Sequence, residues 1–232
     1  MKQKTAAVAA VCAMLVLQAG CAQQPSESSA ETTAAATAVV TNLAKPDMKR
    51  WQYNAEYDWY YQLGINYCET PADTHYEQIS VFVPAAYVSA KENGDGTYTC
   101  EMNGKAVIND HTAANAPIIM PVLTEEYAAA EALTEDSLNG DRRFTEMLSE
   151  YASQGFVCVY AGCRGIDEGA PFGAADLKAA VRYIRYSDDV LPGNAENIFA
   201  YGMSGGGAMA SILGASGDST ENFIRWVNTI LK

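Results

Sequence analysis

The sequence predicts an α/β domain built on a doubly wound, mainly parallel sheet with an antiparallel start. Three observations predict it. Strand-like and helix-like segments alternate through the second half of the chain, the rhythm of parallel strands joined by helical crossovers. Residues 156–161, Phe-Val-Cys-Val-Tyr-Ala, are apolar without a break, as in a strand covered on both faces. The first half instead shows strand-like runs separated by turn sequences, the mark of hairpins.

The elements follow in order. Residues 58–67 are aromatic and β-rich and predict a strand. Residues 76–83 alternate Ile79, Val81 and Val83 and predict its neighbour. Asn93-Gly94-Asp95-Gly96 is a turn, 97–103 a short strand, and Asn103-Gly104 a second turn. Residues 116–122, Ala-Pro-Ile-Ile-Met-Pro-Val, predict a short apolar strand. Phe144, Met147, Leu148, Tyr151 and Ala152 keep helical spacing and stop at Gly155, a natural helix end. Leu177, Ala180, Val181 and Ile184 mark another helix, which ends before Pro192-Gly193. Residues 197–203 predict a strand and 205–215 the helix after it.

Composition bounds the class. The chain has 232 residues, 49% of them hydrophobic and 19% charged, enough for one domain with a sizeable core. A net charge of −13 argues against nucleic acid or an anionic membrane surface as partner. The 14 tyrosines are read mostly as packing residues. Lys2 and Lys4, the apolar run 6–17 and Leu17-Gln18-Ala19-Gly20-Cys21 together resemble a bacterial lipoprotein signal over residues 1–21, which implies lipidation of Cys21. An ordinary secretory signal is the alternative, and both place the protein outside the cytoplasm. Residues 22–45 are mostly Ala, Ser, Thr, Gln and Glu and read as a tether, leaving 46–232 as the folded part. The membrane is expected as partner only through the lipid.

Beyond Cys12 and Cys21, the cysteines are Cys68, Cys100, Cys158 and Cys163. In an exported protein such cysteines can pair, and four allow three full pairings. Cys158, inside the apolar run, is expected to be a buried thiol. No cysteine or histidine spacing suits a metal, and neither metal nor cofactor is expected.

The chemistry concentrates at Tyr201-Gly202-Met203-Ser204-Gly205-Gly206-Gly207. Gly-x-Ser-x-Gly between a strand and a helix is the nucleophile elbow, which lifts a serine hydroxyl into a cleft. The N–H of Gly205, opening the helix, points where an oxyanion would develop. The second donor is expected from Leu123-Thr124-Glu125-Glu126, a loop without the glycines many esterases carry there and with two carboxylates instead. A serine also needs a base and a group that orients it. His75 and His111 both precede Ser204 and read as solvated loop residues, and Asp218 follows the last helix too closely for the acid. Arg164 sits after a strand at the edge where open α/β sheets bind ligands; a salt bridge with Asp167 or Asp176 is the equal alternative.

Residues 156–219 resemble the α/β-hydrolase esterases, and most of all the bacterial tannase and feruloyl esterase branch. The resemblance rests on Ala161-Gly162-Cys163-Arg164-Gly165, on Asp176-Leu177-Lys178-Ala179-Ala180-Val181-Arg182-Tyr183, on Asp189-Val190-Leu191-Pro192-Gly193-Asn194, and on Gly202 to Gly207. Residues 64–87, with Cys68-Glu69-Thr70-Pro71-Ala72-Asp73, resemble the entry to that domain. It implies hydrolysis of a small-molecule ester, with Ser204 as nucleophile, Gly205 as oxyanion donor, an acyl-enzyme, and aromatic acyl esters of sugars or phenols as substrates. In that family the acid and histidine follow the serine. Here no histidine does, so the domain is expected to be the N-terminal part of such an enzyme, incomplete at its C-terminus. Two rivals are a serine peptidase of the prolyl-oligopeptidase type, which shares Gly-x-Ser-x-Gly-Gly, and a surface-anchored binding module without catalysis.

Overall fold

The structure is a computed structural model that describes residues 42–169 and 172–217. The signal at 1–21, most of the tether at 22–45, and Asp218 lie outside the described residues. Ten strands and four helices occur in the described residues. β1 (Gln52–Asn54), β2 (Trp59–Asn66) and β3 (Gln78–Pro84) come first. They are followed by β4 (Val88–Glu92) and β5 (Tyr98–Met102), then the two-residue strands β6 (Val107–Ile108) and β7 (His111–Thr112). The crossover half is β8 (Ile118–Val122), α1 (Glu135–Gly140), α2 (Arg142–Ser153), β9 (Val157–Ala161), α3 (Phe172–Tyr186), β10 (Ile198–Gly202) and α4 (Gly205–Ser216).

Six strands form one sheet in the order β1-β2-β3-β9-β8-β10, while β4 with β5 and β6 with β7 stand apart as small hairpins. Within the sheet β1–β2, β2–β3 and β3–β9 are antiparallel, and only β9–β8 and β8–β10 are parallel. The expectation of a mainly parallel sheet is therefore corrected: among the described residues the sheet is mixed. The reason is connectivity. Short links make β1–β2 and β2–β3 antiparallel, whereas parallel neighbours need a crossover, and the described residues supply two helical crossovers between sheet strands, β8 to β9 and β9 to β10.

Local chemistry accounts for the boundaries. Gly94 and Gly96 take φ of +87° and +86° in the turn joining β4 to β5. Thr134 and Ser137 form a reciprocal cap at the start of α1, and the Asp141 side chain accepts from the Phe144 N–H at 3.0 Å to start α2. α2 ends at Gly155, where φ is +89° and a Cβ would stand 2.7 Å from the Ile108 carbonyl oxygen. β8 contains Pro121, which cannot donate to a ladder, and its register with β9 stops at Ile119↔Cys158. α2 covers one face of the sheet, where Tyr151 meets Tyr201. α3 and α4 flank Ile198 and Ala200 on the other. The core between them centres on Val81, Phe82, Val159, Leu148, Leu177 and Met120, all buried.

The described part of the segment read as tether lies on the body. The Tyr183 and Tyr186 hydroxyls donate to the Ala44 and Leu43 carbonyls at 2.8 and 3.0 Å. Lys45 pairs with Asp189 and lies over the Tyr186 ring.

All four cysteines of the described residues are free thiols. Cys158 is fully buried, with Sγ 3.7 Å from the Leu148 carbonyl oxygen. Burial pushes the Cys100 thiol up to about 11 and that of Cys163 to about 12, and raises Cys158 as well. Burial and then the Glu77 carboxylate push Cys68 up to about 11, but Cys68 is only half-buried. Since the thiolate is the reactive form, native alkylation is expected to be slow at neutral pH, to accelerate in alkali, and to mark Cys68 first. Rapid native labelling of Cys158, read by peptide mapping, would contradict this burial pattern.

Candidate active site

Three loops meet at the carboxyl ends of the parallel strands, the edge where open α/β sheets form their sites. They are Leu123 to Tyr127 after β8, Gly162 to Gly165 after β9, and Met203-Ser204 after β10.

Ser204 stands at the turn from β10 into α4 with φ 53° and ψ −123°, a conformation a non-glycine residue holds only under local constraint. The constraint is visible in the glycines around it. A Cβ on Gly206 would stand 2.1 Å from the Val122 carbonyl oxygen, one on Gly205 2.3 Å from that of Thr124, and one on Gly202 2.4 Å from the Gly206 carbonyl carbon. Backbone thus packs on backbone with no space for a methyl group, and this is the physical content of the Gly-x-Ser-Gly-Gly spacing. Ser204 is exposed while Gly205 and Gly206 beneath it are buried. The Ser204 carbonyl accepts from the Ala208 N–H at 3.1 Å, so the serine caps α4 through its backbone and its side chain makes no cap bond. The N–H of Gly205 belongs to the unpaired first turn of α4, where the helix dipole favours negative charge.

The loop after β8 lacks glycine but takes the turn a glycine would favour. Glu126 and Tyr127 have φ of +52° and +64°. The Glu126 amide nitrogen lies 3.1 Å from the position a Gly205 Cβ would occupy, which puts a second backbone N–H beside the elbow. Glu125 and Glu126 are exposed. Thr124 is buried under them, its hydroxyl without a partner among the described residues.

The loop after β9 is braced from below. Asp176 of α3 accepts from Arg164 Nε at 2.9 Å, from Nη2 at 2.7 Å and from the Arg164 backbone N–H at 2.9 Å. Glu77 lies 3.5 Å from the same guanidinium. These hydrogen bonds raise the Arg164 pKa further above its ordinary value, keeping it charged. Of the two sequence readings for Arg164, the structure supports the salt bridge, and the partner is Asp176. Cys163 and Ala130 exchange backbone bonds at 2.9 and 2.8 Å, and a Cβ on Gly165 would meet the Ala129 nitrogen at 2.2 Å. The brace therefore extends through residues 128–130 to Tyr127 at the elbow. Glu77, contributed from just before β3, was not singled out from the sequence; an acidic residue beside a strand start carries no local signal.

The two histidines stay apart from Ser204. His75 precedes β3, and the register Ile79↔Ala161 puts that end of β3 beside the carboxyl end of β9. From there to β10 are three strand steps of about 4.8 Å, or roughly 14 Å. His75 Nε2 faces Glu131 at 3.2 Å instead. His111 rests on Phe156, which precedes β9, and so lies at the opposite edge of the sheet.

Five exposed large apolar residues, Leu123, Tyr127, Ile166, Phe172 and Met203, gather at this edge, with Met203 85% exposed. The Arg164 guanidinium lies 4.6 Å from the Phe172 ring centre. No group of three or more potential metal ligands occurs among the described residues.

Residues 127–229 match the BD-FAE family model, an esterase-type domain. Solved structures similar to this chain include the tannase of Fusobacterium nucleatum, at 28% identity and TM-score 0.54, over 74% of this chain and 34% of that one. The tannin acyl hydrolase of Lactobacillus plantarum matches at 30% identity and TM-score 0.54, over 74% and 35%. A tannin acyl hydrolase in complex with ethyl gallate gives 30%, 0.54, 74% and 36%. The chain thus spans about a third of the length of these tannase chains. No curated protein sequence matches it.

Proposed function

We propose that this chain, which carries an esterase-type domain and resembles bacterial tannases, is a serine ester hydrolase module of the doubly wound α/β-hydrolase fold. Helices on both faces and a crossover order that reverses about β8 support the fold. One observation carries the chemical reading: the strained backbone of Ser204 between β10 and α4, held by glycines in backbone contact with residues 122–127.

In this reading Ser204 Oγ attacks an ester carbonyl while the Gly205 and Glu126 N–H groups receive the developing oxyanion. The C–O bond to the alcohol breaks, the alcohol leaves with a proton, and the acyl group stays on Ser204 until water releases it. The exposed apolar rim of Leu123, Tyr127, Phe172 and Met203 suits an aromatic acyl group, in keeping with the ethyl gallate bound in one related structure. Neither histidine of the chain is placed to take the serine's proton.

The test is covalent capture. A fluorophosphonate probe at high concentration should form a single adduct at Ser204, located by peptide mass spectrometry and absent from Ser204→Ala. Labelling spread evenly over exposed serines would support the non-catalytic binding module instead.

We further propose that Cys21 carries lipid and that the domain works at the outer face of a membrane. The charged start, the apolar run and the polar segment after it support this. The N-terminal peptide of protein from a bacterial membrane fraction should carry a diacylglycerol adduct. Equal membrane retention of Cys21→Ser would count against it.

A further inference from the structure

The loops beside Ser204 are unevenly charged. Residues 123–127 after β8 and 162–168 after β9 hold four carboxylates, Glu125, Glu126, Asp167 and Glu168, and one cation, Arg164. Arg164 does not offset them, because its guanidinium is already held by Asp176 and faces Glu77. All four acidic residues are exposed. Among the described residues Glu125 and Glu126 form no ion pair. The edge of the sheet that presents the serine is therefore locally negative, on top of the net charge of −13.

Glu126 stands nearest. Its amide nitrogen lies 3.1 Å from the position of a Gly205 Cβ. An extended glutamate side chain reaches roughly 5 Å beyond its Cα, so whichever way it turns, the carboxylate stays within about 10 Å of that position. The backbone there is also strained, with φ at +52°, a conformation in which glycine is at ease and glutamate is not. Glycine would relax the turn, keep the N–H and take a negative charge away from a place where an oxyanion develops. The chain carries glutamate at that point in spite of both costs. The cost to the oxyanion is shared by every ester; what the carboxylate changes from one ester to another is the response to charge on the substrate.

Resting on the serine hydrolase reading, we propose that Glu126, with Glu125 beside it, sets the charge preference of this site. Esters that are neutral or cationic around the ester bond are accepted, and esters that carry a carboxylate, phosphate or sulfate near it are turned away. Two unit charges about 10 Å apart in water alter an equilibrium about twofold. Two carboxylates acting in opposite directions on a cation and an anion therefore separate the two by on the order of tenfold at low salt. At 1 M salt the screening length falls to about 3 Å and the separation should vanish.

The test is the rate of covalent capture at Ser204 by three phosphonofluoridates that share one reactive centre and differ in an arm ending in trimethylammonium, hydroxyl or carboxylate. In each, Ser204 Oγ bonds to phosphorus, fluoride leaves and the hydroxyl proton passes to solvent. Adducts are counted by peptide mass spectrometry. In about 10 mM salt, where screening reaches about 30 Å, the cationic probe should label Ser204 about tenfold faster than the anionic one. Glu125→Gln with Glu126→Gln keeps the backbone and should lower that ratio about fivefold or more; taking the ratio cancels any change in reactivity common to the probes. Glu92→Gln with Glu101→Gln removes the same charge from the exposed β4–β5 hairpin, which leaves the sheet from its opposite edge, and should leave the ratio nearly unchanged. The loss of the ratio in 1 M salt tests the wild type even if the double variant fails to fold. Capture at Ser204 with no preference among the probes, or a preference that survives high salt or falls equally in the hairpin variant, overturns the proposal and leaves the hydrolase reading standing. Labelling spread evenly over exposed serines overturns both.

Discussion

The purified chain is expected to hydrolyse p-nitrophenyl esters roughly a thousandfold or more below the rate of an intact serine triad, and Ser204→Ala is expected to change that rate little. A serine hydroxyl at neutral pH is a poor nucleophile until a base within hydrogen-bond reach accepts its proton. The chain has two histidines. His75 lies about three strand spacings from the elbow, roughly 14 Å, and is turned toward Glu131. His111 lies at the other edge against Phe156. In the proposed reading, what survives without a base is the contribution of positioning and of the proposed oxyanion donors, too small to show in turnover yet enough to direct a reactive probe to one serine. Turnover and capture thus test different parts of the site. Brisk hydrolysis abolished by both Ser204→Ala and His75→Ala, or by both Ser204→Ala and His111→Ala, would mean that the loops rearrange to deliver an upstream histidine, and would overturn this account.

Asp176→Ala is expected to destabilise the domain by about 3–5 kcal/mol, the usual result of removing one member of a buried ion pair. Asp176 is buried, and its carboxylate accepts three hydrogen bonds from Arg164, two from the guanidinium and one from the backbone N–H. Without it the cation retains Glu77, at 3.5 Å, and the Phe172 ring, and the β9 loop loses its ion pair with α3. The exposed Arg142–Glu146 pair, one helical turn apart on α2, is the internal contrast. Glu146→Ala should change stability far less, because water replaces what the pair provides. Urea unfolding followed by circular dichroism measures both. A change below about 1 kcal/mol for Asp176→Ala, with an unaltered m value, would show that the brace contributes little and that the loop is held by the Cys163–Ala130 bonds alone.

Much of the fold was legible because its signals are local. Aromatic, β-rich composition placed β2, apolar alternation placed β3, the unbroken run placed β9, and helical spacing with a closing glycine placed α2. The elbow was legible for the same reason: a strand, a Gly-x-Ser-Gly-Gly turn and a helix occupy consecutive residues, and the glycines are required by contacts that the turn makes wherever it forms. β1 and the two-residue strands β6 and β7 were not read from the sequence. Strands so short lack a period of their own and exist only through their partners.

By itself the sequence determined an α/β domain with an elbow serine, the burial of Cys158, the turns between hairpin strands, and the position of both histidines before Ser204. Each depends on residues close together in the chain, where spacing and side-chain type dictate conformation. Tertiary structure alone decided the rest. It set the mixed order of the sheet, the choice of Asp176 over Asp167 for Arg164, and the left-handed turn of Glu126 and Tyr127 that brings a second N–H to the elbow without a glycine. It also set the separation of Ser204 from each histidine. These are relations between segments dozens of residues apart, fixed by which strand lies beside which, and no local pattern encodes a neighbour that the sheet has yet to choose.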